Sequence, residues 1–139
     1  LPGPSRMAAL SAAARAAERL RAEADALARA LTDRLYAEMP ALLDRYGAVG
    51  RQKCLQDMGY NLEHLAPAVE LADPAVFARY ARWLDDLLRA RGIPTGEVRR
   101  SLELMEQAVH ERFPPDEADA VVPCIRAGLA ALAGDGGPR

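Results

Sequence analysis

Lysine is almost absent from this sequence. Of 18 basic residues 17 are arginine, and the one lysine is Lys53. Histidine is represented only by His64 and His110, and cysteine only by Cys54 and Cys124. Two cysteines are too few for a disulfide framework, so a cytoplasmic protein with free thiols is the expectation. No apolar run approaches the ~18–20 residues that a membrane-spanning helix needs. The N-terminus has no charged, apolar and cleavage-site series of the kind that marks a secretory signal. With a net charge of −2 and no basic stripe, nucleic acid is not an expected partner. Strand-like alternation and internal repeats are also missing. What remains is a 139-residue chain, half hydrophobic, of a size that suits one domain with a continuous core.

Alanine, leucine, arginine and glutamate dominate, and all are strong helix formers. Residues 5–38 read as one long helix with Leu10, Leu20, Leu27, Leu31 and Leu35 at helical spacing. Its first third is expected to protrude and offer a surface for a homodimer. Pro40 suits the first turn of a short helix, and Gly47 and Gly50 punctuate a loop. A second main helix spans residues 51–71, bent near Glu63 because the Pro67 ring removes a backbone donor. Asp73-Pro74 reads as an N-cap followed by proline at the first helical position, and Gly92 ends the helix it starts. Thr95 is the expected cap of a helix to Arg112. Pro114-Pro115 precedes a last helix over 116–132, in which Pro123 predicts a kink or break. Asp85-Asp86 and Arg99-Arg100 read as solvated faces. Residues 1–6 read as a linker or tag remnant, 7–133 as the domain and 134–139 as a disordered tail. The expected fold class is all-α.

The second main helix carries the functional signal. Leu55, Gly59, Leu62, Ala66 and Val69 fall within about 80° on one face, as a core stripe would. The other side holds Cys54, Asp57, Met58, Asn61, His64 and Leu65. A solvated face would carry glutamate, lysine or arginine; this mixture suits a pocket wall. Four of the seven aromatics lie between positions 60 and 83, namely Tyr60, Phe77, Tyr80 and Trp83. The last three share a helix flank that would face Asp57 and Asn61 if the two helices pack antiparallel. They read equally as ordinary core aromatics.

The segment Gly50-Arg51-Gln52-Lys53-Cys54-Leu55-Gln56-Asp57-Met58-Gly59-Tyr60-Asn61-Leu62 resembles the chromophore helix of phycobiliproteins. That family has a globin-derived fold, with the pattern Gly-Arg/Lys-x-Lys-Cys-x-Arg-Asp-Ile-Gly-Tyr-Tyr-Leu in this helix. Tyr36-Ala37-Glu38-Met39-Pro40 is similar to its Tyr-x-x-Phe-Pro helix end. Gly92-Ile93-Pro94 and the helix through Ser101 to Gln107 look like a later turn and helix. The likeness covers roughly residues 27–132. It implies a globin-like domain that binds a linear tetrapyrrole, or bilin, such as biliverdin or phycocyanobilin. Cys54 would be the site of thioether attachment, Asp57 would bond the pyrrole nitrogens, Lys53 would hold a propionate and Tyr60 would be a wall residue. Asn61, Phe77, Tyr80 and Trp83 complete the expected pocket, with His64 read either as a pocket residue that stacks on a ring or bonds a ring carbonyl, or as a satisfied partner in the core. An ionised carboxylate accepts several N–H bonds at once, which suits Asp57 to that role.

Two departures qualify the resemblance. The arginine expected two residues after the cysteine is Gln56, so a propionate contact must come from elsewhere; Arg51, Arg79 and Arg82 are the candidates. The loop before the cysteine helix is also shorter than in antenna proteins. Both features fit better the bilin biosynthesis-associated globins and the bilin-binding domains of photocobilins. The latter implies a fused or associated cobalamin-binding domain, whose Asp-x-His-x-x-Gly motif this chain does not contain. Whether the bilin is bound covalently through Cys54 or without a bond stays open, as does a role for Cys54 as a small buried hydrophobe. Cys124 reads as structural and His110 as a surface residue near a helix C-terminus. No nucleophile or metal set accompanies the paired carboxylates, so an enzyme is not expected. The rival readings are a haem-binding globin sensor and a ligand-free helical dimerisation module.

Overall fold

The computed structural model describes residues 4–133, and within them the chain is six helices with no strand. They are α1 (Pro4–Ala22), α2 (Ala24–Glu38), α3 (Ala41–Glu70), α4 (Pro74–Ala90), α5 (Thr95–Arg112) and α6 (Pro115–Ala131). The all-α expectation holds. α1 begins inside the stretch set apart as a linker, whereas residues 1–3 and the tail 134–139 lie outside the described residues.

The long first helix is two helices. Glu23 sits at φ −101° and ψ 8° between them, yet its amide still bonds Arg19 O at 2.9 Å. No proline or glycine causes this bend. Packing does: α1 lies on α3 and α6, while α2 turns to lie on α3 and α5. Ala12, Ala13, Ala16, Ala17 and Leu20 are buried in the chain's own core, so the small-residue face of α1 from Ala12 onward is occupied within the molecule. Arg19 fixes it further through a 2.7 Å ion pair to Glu117, which is only 3% exposed on α6.

α3 has its break at Gly47, where φ 69° and ψ −173° form a backbone shape that essentially only glycine adopts. The helix resumes at once instead of opening into a loop through Gly50. Pro67 lies within α3, and Pro123 is accommodated inside a continuous α6. Asp73 caps α4 as expected, accepting from Ala75 N at 3.2 Å, and Gly92 takes a left-handed φ of 85° after α4.

The cap expected from Thr95 is a correction. Its hydroxyl donates instead to Asp85 at 2.7 Å, and Asp85 is 2% exposed rather than solvated. A buried carboxylate needs donors, and it takes this hydroxyl together with the Ala133 amide at 3.1 Å. Arg100 is likewise engaged, its Nε and Nη2 donating to Glu38 at 2.8 and 2.6 Å and its Nη1 to Glu103 at 3.2 Å. α4 and α6 approach so closely that a Cβ added at Gly128 would sit 2.6 Å from the Phe77 ring. The core therefore runs through all six helices, and the space left between α2, α3, α4 and α5 is the site.

Candidate functional site

A cavity of about 360 Å³ opens between these four helices, within the roughly 300–1,000 Å³ range of small-molecule sites. α3 supplies one wall. Gly50, Lys53, Cys54, Asp57, Met58 and Asn61 line it at positions i, i+3, i+4, i+7, i+8 and i+11, the spacing of a single helical face. Tyr36 of α2 and Tyr46 add rings, and Leu84 and Leu88 of α4 with Val98 of α5 add apolar surface. Arg91 and Ile93 close one edge from the turn between α4 and α5, and Glu97 stands at the start of α5.

Asp57 is the most informative group. Burial raises its carboxyl pKa, and the charges of Arg91 first and Lys53 second oppose that shift. No hydrogen bond reaches it from any described residue. An ionisable group half out of water, facing a cavity and flanked by two cations, is the signature of a ligand site. Lys53 and Arg91 are both exposed, so they ring the mouth instead of the interior.

Cys54 is half-buried on the same face. Burial pushes its thiol up to about 11, opposed by the Thr32 hydroxyl, so it is neutral at physiological pH. Thr32 itself bonds back to Ala28 O at 2.8 Å. Burial also raises the phenol of Tyr36, and the guanidinium of Arg51 lies 4.9 Å from the centre of its ring. At the other end, Tyr46 donates to Glu97 at 3.1 Å. Gly50 leaves room for Tyr46, since a Cβ there would collide with the tyrosine Cβ.

Several expected pocket residues lie elsewhere. Arg51 pairs with Asp33 and stays outside the cavity, and Arg79 and Arg82 are exposed on α4. Tyr60 is 47% exposed and borders a shallow groove on the other flank of α3, together with Leu55, Gln56 and Gly59. Leu55 and Gly59 are accordingly only partly buried, while Met58 and Leu65 belong to the core. Phe77 is fully buried against α6 and Trp83 is 58% exposed. His64 is exposed, its Nδ1 2.8 Å from Tyr60 O and its ring stacked 4.1 Å from Tyr80. Tyr80 stops short of the cavity but donates a 2.6 Å bond to Asn61, which lines it.

Sequence reasoning missed Arg91, Tyr46 and Glu97. Arg91 stands directly before the quoted Gly92-Ile93-Pro94 turn, which was the available signal. Gln56 faces the outer groove, so Arg91 rather than its replacement brings a second cation to the cavity.

The family model for phycobilisome proteins matches residues 5–132. The chain belongs to the phycobilisome protein family. No curated protein matches it. A phycobilisome-family protein has a globin-like all-α fold, which is the class of the six helices seen here. Phycobilisome proteins bind bilin chromophores, and the residues of this cavity fit such a group. An acceptor with no hydrogen-bond donor among the described residues, two cations, a thiol and apolar walls match pyrrole N–H groups, propionates and flat rings.

Proposed function

We propose that this phycobilisome-family chain is a chromoprotein that holds one linear tetrapyrrole, such as biliverdin or phycocyanobilin, in the cavity between α2, α3, α4 and α5. It serves as a photosensor or a pigment carrier rather than an enzyme. The observation that carries this reading is Asp57: a half-buried carboxylate with no protein partner, opening onto a cavity between Lys53 and Arg91. When bound, the bilin supplies absorption of visible light. Asp57 accepts pyrrole N–H bonds and favours a protonated, cationic ring system, which offsets the cost of burying its own charge. Lys53 and Arg91 pair with the propionates at the mouth, where neither charge has to be buried unpaired. Tyr36 and Tyr46 give rings against which the pyrroles pack.

Cys54 lies within the cavity wall and is the anchor in a covalent form of the complex. Its neutral thiol favours a pigment that is first held without a bond. The haem reading has less support. Neither histidine lines the cavity, since His64 is outside it and the His110 side chain is 52% exposed on α5. The reading of a ligand-free dimerisation module has less support, because the described apolar residues of α1 from Ala12 to Leu20 are buried within the chain.

Titrating the purified protein with biliverdin tests the proposal. A saturable, red-shifted and sharpened long-wavelength band at one bilin per chain is expected. A spectrum equal to that of free biliverdin at every ratio would sink it.

A further inference from the structure

Asn61 lines the cavity from α3. It is 3% exposed. Its amide oxygen accepts the Tyr80 phenol at 2.6 Å, which fixes the direction of the amide. No described residue then accepts from the amide nitrogen. Among the described residues no fully occluded side-chain nitrogen or oxygen lacks a partner, so this nitrogen keeps some exposure, on a residue that lines the cavity. Tyr80 is in turn held from outside by the His64 ring stacked on it at 4.1 Å, with the two planes 13° apart.

Asn61 lies one helical turn beyond Asp57 on the same face, which sets their Cβ atoms about 5–6 Å apart. The wall thus presents an acceptor and, one turn deeper, a donor. We propose that Asn61, held by Tyr80, donates to the carbonyl of a terminal lactam ring while Asp57 accepts from pyrrole N–H groups. This rests on the bilin reading and adds to it which end of the pigment goes inside. Only the two end rings of a linear tetrapyrrole carry a ring carbonyl, and a closed tetrapyrrole such as haem carries none. A buried neutral donor suits a lactam oxygen and not a propionate, because a carboxylate there would lie unpaired away from Lys53 and Arg91. A site built around a hydrogen bond discriminates strongly against ligands that lack the partner group. Asn61 is therefore a specificity-determining residue for open-chain pigment, and Tyr80 is its positioning residue.

The test loads wild type, Asn61→Leu and Tyr80→Phe with biliverdin and reads both the Kd and the infrared stretch of the lactam carbonyls. Asn61→Leu should weaken binding about tenfold, as the loss of one buried hydrogen bond does, and move one carbonyl stretch to higher wavenumber. Tyr80→Phe removes a single oxygen and should shift both readings the same way by less. It carries the test alone if Asn61→Leu does not fold. A purely structural role for Asn61 would leave the carbonyl band where it is. Unchanged carbonyl bands in variants that bind biliverdin would overturn the inference while leaving the bilin reading intact. Failure of the wild type to bind biliverdin would overturn both.

Discussion

The Thr95 hydroxyl donates a 2.7 Å hydrogen bond to the buried carboxylate of Asp85, joining the start of α5 to α4. The turn between them carries Arg91 and Ile93, both at the cavity edge. The bond therefore fixes one side of the site as well as the fold. Thr95→Val keeps the side-chain volume and removes the donor. Hydrogen bonds to charged groups contribute about 1.5–3 kcal/mol, so urea unfolding should show a loss of about 2 kcal/mol. Bilin affinity should fall with it. Equal midpoints for the two proteins would show that Asp85 is satisfied without Thr95.

α4 and α6 meet at Gly128, where a Cβ would come within 2.6 Å of the Phe77 ring. Phe77 is fully buried and cannot swing out to solvent. Gly128→Ala should destabilise the protein by about 1–3 kcal/mol through overpacking. Adding Phe77→Leu shortens the ring and should restore part of that loss, so the double variant should be more stable than the sum of the single changes. Strict additivity in thermal unfolding would mean that the two residues do not press on each other.

Burial holds the Cys54 thiol at about 11, above the ordinary cysteine value. The sign is clear: a raised thiol pKa means less thiolate at neutral pH, roughly a thousandth of the molecules at pH 8. Alkylation of the Cys54 peptide by iodoacetamide, followed by mass spectrometry, should be slow at pH 8 and rise steadily up to pH 11. A plateau by pH 9 would contradict the burial seen here.

Asp57 should cost the ligand-free protein stability in exchange for its function. Its folded-state carboxyl is raised, so the ionised form is disfavoured on folding at high pH, and the penalty disappears as pH falls through that carboxyl's titration. Asp57→Asn should therefore be more stable than wild type at pH 8 without ligand, with the gap narrowing as the pH is lowered. Thermal unfolding across pH checks this. A gap that widens toward acid would reverse the assigned direction.

Much of this was legible from residues alone, and the rest failed for physical reasons. Alanine and leucine content gave the helices, and the mixed face holding Cys54, Asp57, Met58 and Asn61 gave the wall, because a solvated helix would carry glutamate, lysine or arginine there. The bend at Glu23 has no breaker residue and comes only from tertiary packing. Phe77, Tyr80 and Trp83 were read as sharing a flank, but six residues on a helix leave two side chains about 120° apart. Phe77 accordingly packs against α6 and Trp83 lies exposed, while Tyr80 bonds Asn61 of α3. The charge of Arg91 acts on Asp57 from the turn after α4, across the cavity that both line, a relation that no spacing along the chain displays.

The role of Asp57 is the centre of the account. Wild type and Asp57→Ala, each produced together with haem oxygenase and purified, should be compared by visible absorption at equal protein concentration. Wild type should carry a strong red band, and Asp57→Ala a band that is weaker and shifted to the blue. Matching red bands in the two proteins, in position and intensity, would contradict a pyrrole contact at Asp57 and with it the site proposed here.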